Sequence, residues 1–257
     1  MFLSLVLYAI AFVLLTVSTL EPSLNLLGSA ALLVLLFGVV LLWRNEGRSI
    51  TNLGFNRTSK WWRICSQGLL IGFILPFIFI FFQVAAGWIL PSRTTHDTMM
   101  LTFYLMSTFL RLIVIVAIEE VIFRGYFLQK FSFKFGAFKA VLASSLLWAL
   151  LHIPNMAGSG LTITQVVIGV VSFKILGIGL GLGFVYNKNT LWHPLGLHFG
   201  YNLIFSMYGL IIVSSYIGPE LIVGNPAWAP ESGIIGLVLS TTILLTVWSS
   251  LCKLKKL

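Results

Sequence analysis

Two adjacent glutamates, Glu119 and Glu120, end a long apolar stretch, and Arg124 follows four residues after the second. Carboxylates in such a stretch are costly to bury and usually have a function. On a helix, Glu120 and Arg124 share a face and can form an ion pair, whereas the Glu119 side chain points about 100° away. Glu119 is therefore free to exchange protons with water. The simpler alternative is that both glutamates only pair with bases at a helix end.

Two further apolar stretches each carry a histidine with a second notable side chain four residues away. The first holds Trp148 and His152, and the second holds His198 and Asn202. Residues at this spacing lie on one helix face, so Trp148 can wall a site beside His152, while His198 and Asn202 project together. Each histidine, taken singly, could also be a hydrogen-bonded core residue that holds helices together.

The three stretches are predicted to place their polar residues at one depth. Counted from the nearest basic connection at 1.5 Å per residue, Glu119 lies roughly 16 Å deep, His152 roughly 20 Å and His198 roughly 15 Å. These values fall in one layer of a hydrocarbon core about 30 Å thick. The residues would then meet in one site.

Such a site could hydrolyse a bond in one of two ways. Glu119 and His152 could activate water while His198 and the Asn202 amide donate hydrogen bonds to an oxyanion. Alternatively, Glu119, His152 and His198 could bind a divalent metal such as zinc, with water in the open position. The residues alone do not distinguish the two, and no cofactor is favoured by them.

The elements that carry these residues belong in a lipid bilayer. Of 257 residues, 58% are hydrophobic and 9% are charged, and the mean hydropathy of +1.01 excludes a soluble globular protein. We predict an all-α fold, a single polytopic transmembrane bundle over 1–257 with about eight helices and a catalytic helical core at 98–215. The predicted spans are 2–20, 24–43, 65–90, 98–120, 138–153, 162–186, 190–215 and 232–252.

The charge distribution predicts the orientation of the bundle and its partners. The chain has 16 Lys and Arg against 7 Asp and Glu, which in a soluble protein would suggest nucleic acid. Here the bases gather in alternate connections, while the other connections carry Arg93 as their only base. By the positive-inside rule both termini are expected in the cytoplasm. The expected partners are the lipid bilayer and a membrane protein or peptide, and not nucleic acid.

The three motifs, in this order, resemble those of the CPBP family, the CAAX-protease and bacteriocin-processing intramembrane endopeptidases, also called the Abi family. The family pattern has a Glu-Glu-x-x-x-Arg segment, a Phe-x-x-x-His segment and a His-x-x-x-Asn/Asp segment, which this chain matches within roughly residues 100–205. The resemblance implies that Glu119 is the general base and His152 its partner. It further implies that His198 and Asn202 form the oxyanion site.

By the same resemblance, Glu120 and Arg124 support the geometry of the site. The chain departs from the family pattern at Trp148, where the family usually has Phe. Both are large aromatics, so we expect a reshaped pocket wall and retained activity. The family has been described both as metal-dependent and as a metal-free glutamate protease. The metal-free form is favoured here because a third protein ligand is not obvious.

The leading interpretation is an intramembrane endopeptidase that cleaves a membrane-associated protein or peptide in a bacterial plasma membrane, in peptide processing or in bacteriocin self-immunity. A proton-coupled transporter with Glu119 and Glu120 as carriers is one alternative. A non-catalytic immunity protein that sequesters a peptide is another. The sequence leaves open the substrate, its prenylation and the role of Arg111, which lies deep in the fourth predicted span.

Overall fold

The chain folds into a bundle of apolar helices. The computed structural model describes residues 1–20, 25–56, 59–91, 98–207, 213–226, 228 and 230–254. Within these ranges the helices of fourteen or more residues are α1 (Phe2–Leu20), α2 (Asn25–Asn45), α3 (Trp61–Ala85), α4 (Thr98–Glu120), α6 (Ala137–Leu150), α8 (Ile163–Tyr186), α9 (Trp192–Met207) and α11 (Ile234–Leu254).

Shorter elements connect or extend the long helices. They are a 3-10 turn (Ile50–Leu53), a π-helix (Val121–Leu128), α5 (Gln129–Phe135), α7 (Ile153–Gly158) and α10 (Glu220–Val223). Two short strands, β1 (Ile89–Pro91) and β2 (Val213–Tyr216), pair antiparallel, with Ile89 opposite Tyr216. The predicted all-α bundle is confirmed for the helices, but the prediction did not include this two-stranded ribbon.

Six helical segments are long and apolar enough to cross a membrane, by length and composition within the described ranges. They are Phe2–Thr19, Trp61–Ala85, Thr98–Phe135, Ala137–Gly158, Ile163–Tyr186 and Ile234–Cys252. The other two predicted spans coincide with shorter apolar helices, α9 and the Ala30–Asn45 part of α2. The protein is therefore a multi-pass membrane protein, whereas the count of eight spans and the cytoplasmic termini stay predictions.

Three predicted spans differ from the helices in their bounds. The third helix begins at Trp61 and ends at Ala85, since the chain then turns into strand β1. The seventh ends at Met207, and residues 213–216 form the partner strand. The fourth continues through the π-helix and α5 as far as Phe135, because no proline interrupts it. Gly136, with a φ of +79°, then ends the helical run.

Helix α9, which carries His198, packs on α3 through glycines on both helices. A methyl group on Gly72 would meet the carbonyl oxygen of Leu197, and one on Gly196 would meet that of Cys65. Small residues at such positions let two helix backbones approach closely in lipid. The α3 glycines therefore fix the position of α9, and with it the position of His198.

Helices α1 and α2 cover the π-helix. The Tyr8 hydroxyl of α1 donates to the Leu147 carbonyl at 2.7 Å, and its ring meets Phe123 edge-on. Trp43 of α2 packs edge-on against Tyr126. All eight residues of the π-helix are buried as a result. The segment that follows the two glutamates is thus held inside the bundle.

We expect Gly72→Ala to destabilise the protein, because the added methyl group overlaps a backbone atom of α9 that cannot rotate away. Overpacking of this kind costs about 1–3 kcal/mol. Thermal unfolding in detergent should show a lower Tm for Gly72→Ala than for wild type.

Gly179→Ala is the matched control, because its new methyl group would come no closer than 3.7 Å to another atom, the Cα of Leu244, which is an ordinary contact. Equal Tm values for the two variants would contradict the role given to the α3–α9 contact.

Candidate active site

The centre of the site is one carboxylate oxygen of Glu120, which accepts two hydrogen bonds. Arg124 Nη1 donates to Oε1 at 2.8 Å, and His198 Nδ1 lies 2.8 Å from the same oxygen. The side chains of Glu120, Arg124 and His198 are 0%, 1% and 3% exposed. The ion pair expected between Glu120 and Arg124 is present. Its Glu120 oxygen also contacts His198 and so links the pair to α9.

The π-helix begins directly after this carboxylate, at Val121. Such wider helical turns are rare and occur often at functional sites. Arg124 lies in its first turn, where Nη2 is 3.4 Å from the Gly177 carbonyl oxygen of α8. The guanidinium also stacks over the Trp148 ring, 4.7 Å from its centroid. Arg124 thus contacts α6 and α8 as well as Glu120.

Glu119 faces a different environment from its neighbour. Its Oε2 accepts a hydrogen bond from the Trp148 indole Nε1 at 2.7 Å. The same oxygen lies 3.8 Å from His198 Nε2. The Glu119 side chain is 12% exposed, in contrast to the fully enclosed Glu120. Glu119 therefore has a neutral hydrogen-bond donor and a nearby imidazole, and its side chain is still partly exposed.

His152 lies in the turn between α6 and α7, where Pro154 helps to start a new helix. Its Nδ1 is 2.9 Å from the Trp148 carbonyl oxygen. Because a carbonyl only accepts, Nδ1 carries the proton and Nε2 of a neutral ring is an acceptor. The ring stacks on Phe173, with centroids 4.3 Å apart, and meets the Trp148 ring edge-on. His152 is thereby held in one orientation with one free nitrogen.

The structure brings most of the predicted residues together, but in a different pairing. Within the described part of the chain, the imidazole at ion-pair distance from Glu119 is that of His198, and not that of His152. The Trp148 ring contacts both imidazoles, and its N–H group donates to Glu119. Asn202 lies one turn after His198 and is half-buried, and it makes no hydrogen bond to the other described site residues. The catalytic roles of these residues stay predictions.

Glu119, His152 and His198 do not fit the metal centre that the alternative mechanism requires. Across the described residues, no three His, Cys, Asp or Glu side chains lie together as a potential ligand group. A zinc site needs its ligands within about 2.0–2.2 Å of one point. We therefore assign no step of the reaction to a metal.

Sequence reasoning missed a second polar pair beside the site. The Tyr201 hydroxyl, one turn after His198, donates to Glu231 Oε1 at 3.0 Å, and both side chains are buried. Trp228, in the same segment as Glu231, meets the His152 ring edge-on at 6.5 Å. Trp228 and Glu231, which lie between α10 and α11, thus contact residues of the site. The only sequence signal for this pair is an acidic residue, Glu231, in an apolar connection. Because connections between helices are normally solvated, that signal does not predict a buried contact.

We expect Glu120→Gln to destabilise the protein strongly. The substitution leaves the buried Arg124 without its counter-charge, and loss of one partner of a buried pair costs about 3–5 kcal/mol. The amide oxygen still accepts hydrogen bonds, so the lower half of that range applies. Thermal unfolding in detergent measures the effect as a lower Tm.

Glu46→Gln is the matched surface control. Glu46 pairs with Lys130 and with Arg48, but it is 39% exposed, and such pairs contribute less than about 1 kcal/mol. A Tm loss in Glu46→Gln as large as that in Glu120→Gln would show that burial of the pair does not set its contribution.

We expect Glu231 to make stability depend on pH. Burial raises the pKa of its carboxyl from 4.5 to about 7. Between these pH values the folded protein keeps a proton that the unfolded chain has released, so stability falls as pH rises. Glu231→Gln keeps an acceptor for Tyr201 but does not ionise. From pH 5 to 7.5, the Tm of wild type should fall by about 5 °C more than that of the variant.

An equal fall in Tm for the two proteins would contradict the effect assigned to Glu231.

Comparison with protein families supports the motif assignment. Residues 100–204 match the family model described as type II CAAX prenyl endopeptidase Rce1-like. A comparison with curated proteins finds no match to the chain. The matched segment contains every residue of the three motifs, from Glu119 to Asn202. Over this segment the chain is similar to Rce1-like CAAX endopeptidases, membrane proteases of the group that its motifs resemble.

Proposed function

We propose that the protein is an intramembrane endopeptidase in which Glu119 is the general base. The observation that carries this proposal is the position of the Glu119 carboxylate, 3.8 Å from His198 Nε2 and partly accessible beside a buried ion pair. A carboxylate of this kind can take a proton from water without breaking the Glu120–Arg124 pair. The match of residues 100–204 to a protease family model supports the same reaction.

The first step is the attack of water on the scissile carbonyl carbon. Glu119 accepts one proton of the water as its oxygen bonds to that carbon. His152 Nε2, which is an acceptor in the neutral ring, can orient the second hydrogen of the water. The carbonyl oxygen becomes an oxyanion.

The second step is stabilisation of the oxyanion and collapse of the intermediate. His198 is bonded to Glu120 through Nδ1, so a protonated ring has Nε2–H available for the oxyanion. The Asn202 side-chain amide, one turn further along α9, is the second donor. The carbon–nitrogen bond then breaks, and the proton held by Glu119 passes to the leaving amine.

The substrate in this proposal is a membrane-associated protein or peptide. A cavity of about 670 Å³ lies between α1, α2, α4 and α7, and Ile118 and Asn155 line it close to the site residues in sequence. Leu33 and Leu110, also in its wall, are more than half exposed on the outside of the bundle. An apolar chain can therefore reach the cavity from the lipid. A bacterial plasma membrane and a role in peptide processing or self-immunity belong to this proposal.

We expect Glu119→Gln and His152→Ala to abolish cleavage while membrane insertion stays normal. The probe is a farnesylated, internally quenched CAAX peptide, presented to the purified protein in liposomes. Loss of a general base or its partner lowers the rate by about 10²–10⁴-fold. In cells, membrane proteomics of wild type against Glu119→Gln should find a polypeptide that accumulates uncut.

Glu46→Gln, which removes a surface carboxylate, should cleave the peptide at the wild-type rate. Undiminished cleavage by both site variants would refute the proposed roles. Protection against a bacteriocin retained in a Glu119→Ala strain would favour the non-catalytic immunity protein.

A further inference from the structure

Trp148 lies where all parts of the candidate site meet, and its ring is 1% exposed. The ring is edge-on to His152 at 5.0 Å and to His198 at 5.3 Å, with Arg124 over its face. These contacts need only a large aromatic ring. The indole N–H group makes one additional contact, the 2.7 Å hydrogen bond to Glu119 Oε2.

The N–H group separates Trp148 from the phenylalanine that is usual at this motif position. A phenyl ring can pack against both imidazoles, but it has no donor for a carboxylate. An N–H group aimed at a carboxylate makes a charge-assisted hydrogen bond, which is about twice as strong as a neutral one. In this chain, the base therefore has a fixed neutral donor that the family motif does not require.

We propose that the indole N–H of Trp148 positions Glu119 for base catalysis by fixing Oε2, so that Oε1 takes the proton from water. Trp148 is a positioning residue in this scheme, because it transfers no proton and touches no reacting atom. The proton moves from water to Glu119 Oε1, while the N–H bond of Trp148 stays intact. This inference rests on the proposed function of Glu119.

The direction of the effect follows from the hydrogen bond. Trp148→Phe keeps a ring that packs against both imidazoles and removes only the donor to Glu119. A carboxylate without that donor can turn away from the water, so the variant should lose kcat while KM stays unchanged. Loss of packing alone would instead lower the Tm.

The activity test compares Trp148→Phe with Trp43→Phe, using the farnesylated peptide. Both variants remove a buried indole N–H group, but that of Trp43 donates to the Ser49 carbonyl oxygen, 2.9 Å away, and not to Glu119. The kcat of Trp148→Phe should fall about tenfold while KM stays unchanged. Both constants should keep their wild-type values in Trp43→Phe. A wild-type kcat in Trp148→Phe overturns the inference.

A second readout needs no substrate. The chain has 8 tryptophans, so the protein labelled with ¹⁵N at the indole nitrogen gives a small set of NMR signals in micelles. The signal missing from Trp148→Phe identifies Trp148. Its chemical shift in wild type should differ from that in Glu119→Gln, because a hydrogen bond to a charged acceptor is replaced by one to a neutral amide.

The two readouts separate failure of this inference from failure of the proposed function. If the Trp148 signal ignores the Glu119→Gln substitution, the hydrogen bond is absent and the inference is wrong. If the signal responds but Glu119→Gln still cleaves the peptide, the contact exists and Glu119 is not the base. A signal that ignores Glu119→Gln, together with undiminished cleavage by that variant, would reject both proposals.

Discussion

The site depends on one carboxylate oxygen, Oε1 of Glu120, which binds Arg124 on its own helical run and His198 on α9. All three side chains are removed from solvent, and a charge in that position is tolerated only with partners. Arg124 extends the network to the Gly177 carbonyl of α8 and to the ring of Trp148 on α6. Four helical elements are therefore held in register by one buried pair.

Backbone packing must deliver His198 to that oxygen. The donor–acceptor distance of a hydrogen bond varies by only a few tenths of an ångström. Two lipid-embedded helices can slide by more than this unless their surfaces interlock. The glycines of α3 supply the interlock, because the backbone of α9 lies directly against them. The break between α6 and α7 does the same for His152, whose Nδ1 is held by the Trp148 carbonyl one turn earlier. The geometry of the site is thus set by glycine contacts and a helix break that take no part in the reaction.

Sequence reasoning succeeded where an interaction is local or where spacing alone decides it. The Glu120–Arg124 pair follows from a separation of four residues, and the meeting of the polar residues of three helices follows from counts of depth. Contacts that depend on helix rotation could not be read in this way. His198, not His152, lies nearest to Glu119, and Glu231 reaches Tyr201 from a connection thirty residues away. The strand ribbon also depends on two distant segments, one of them assigned to a helix by hydropathy.

The adjacent glutamates Glu119 and Glu120 differ in their surroundings and therefore suit different roles. A helix turns by about 100° per residue, so neighbours face different surroundings whatever their sequence. Glu120 meets a guanidinium and an imidazole in a closed space, where giving up its charge would leave Arg124 unpaired. Glu119 meets a neutral indole, lies 3.8 Å from His198 Nε2 and keeps some access, while Arg124 has its hydrogen-bonded counter-charge in Glu120. In the proposed function the base is therefore the glutamate outside the Glu120–Arg124 pair, and that pair can stay unchanged through the reaction.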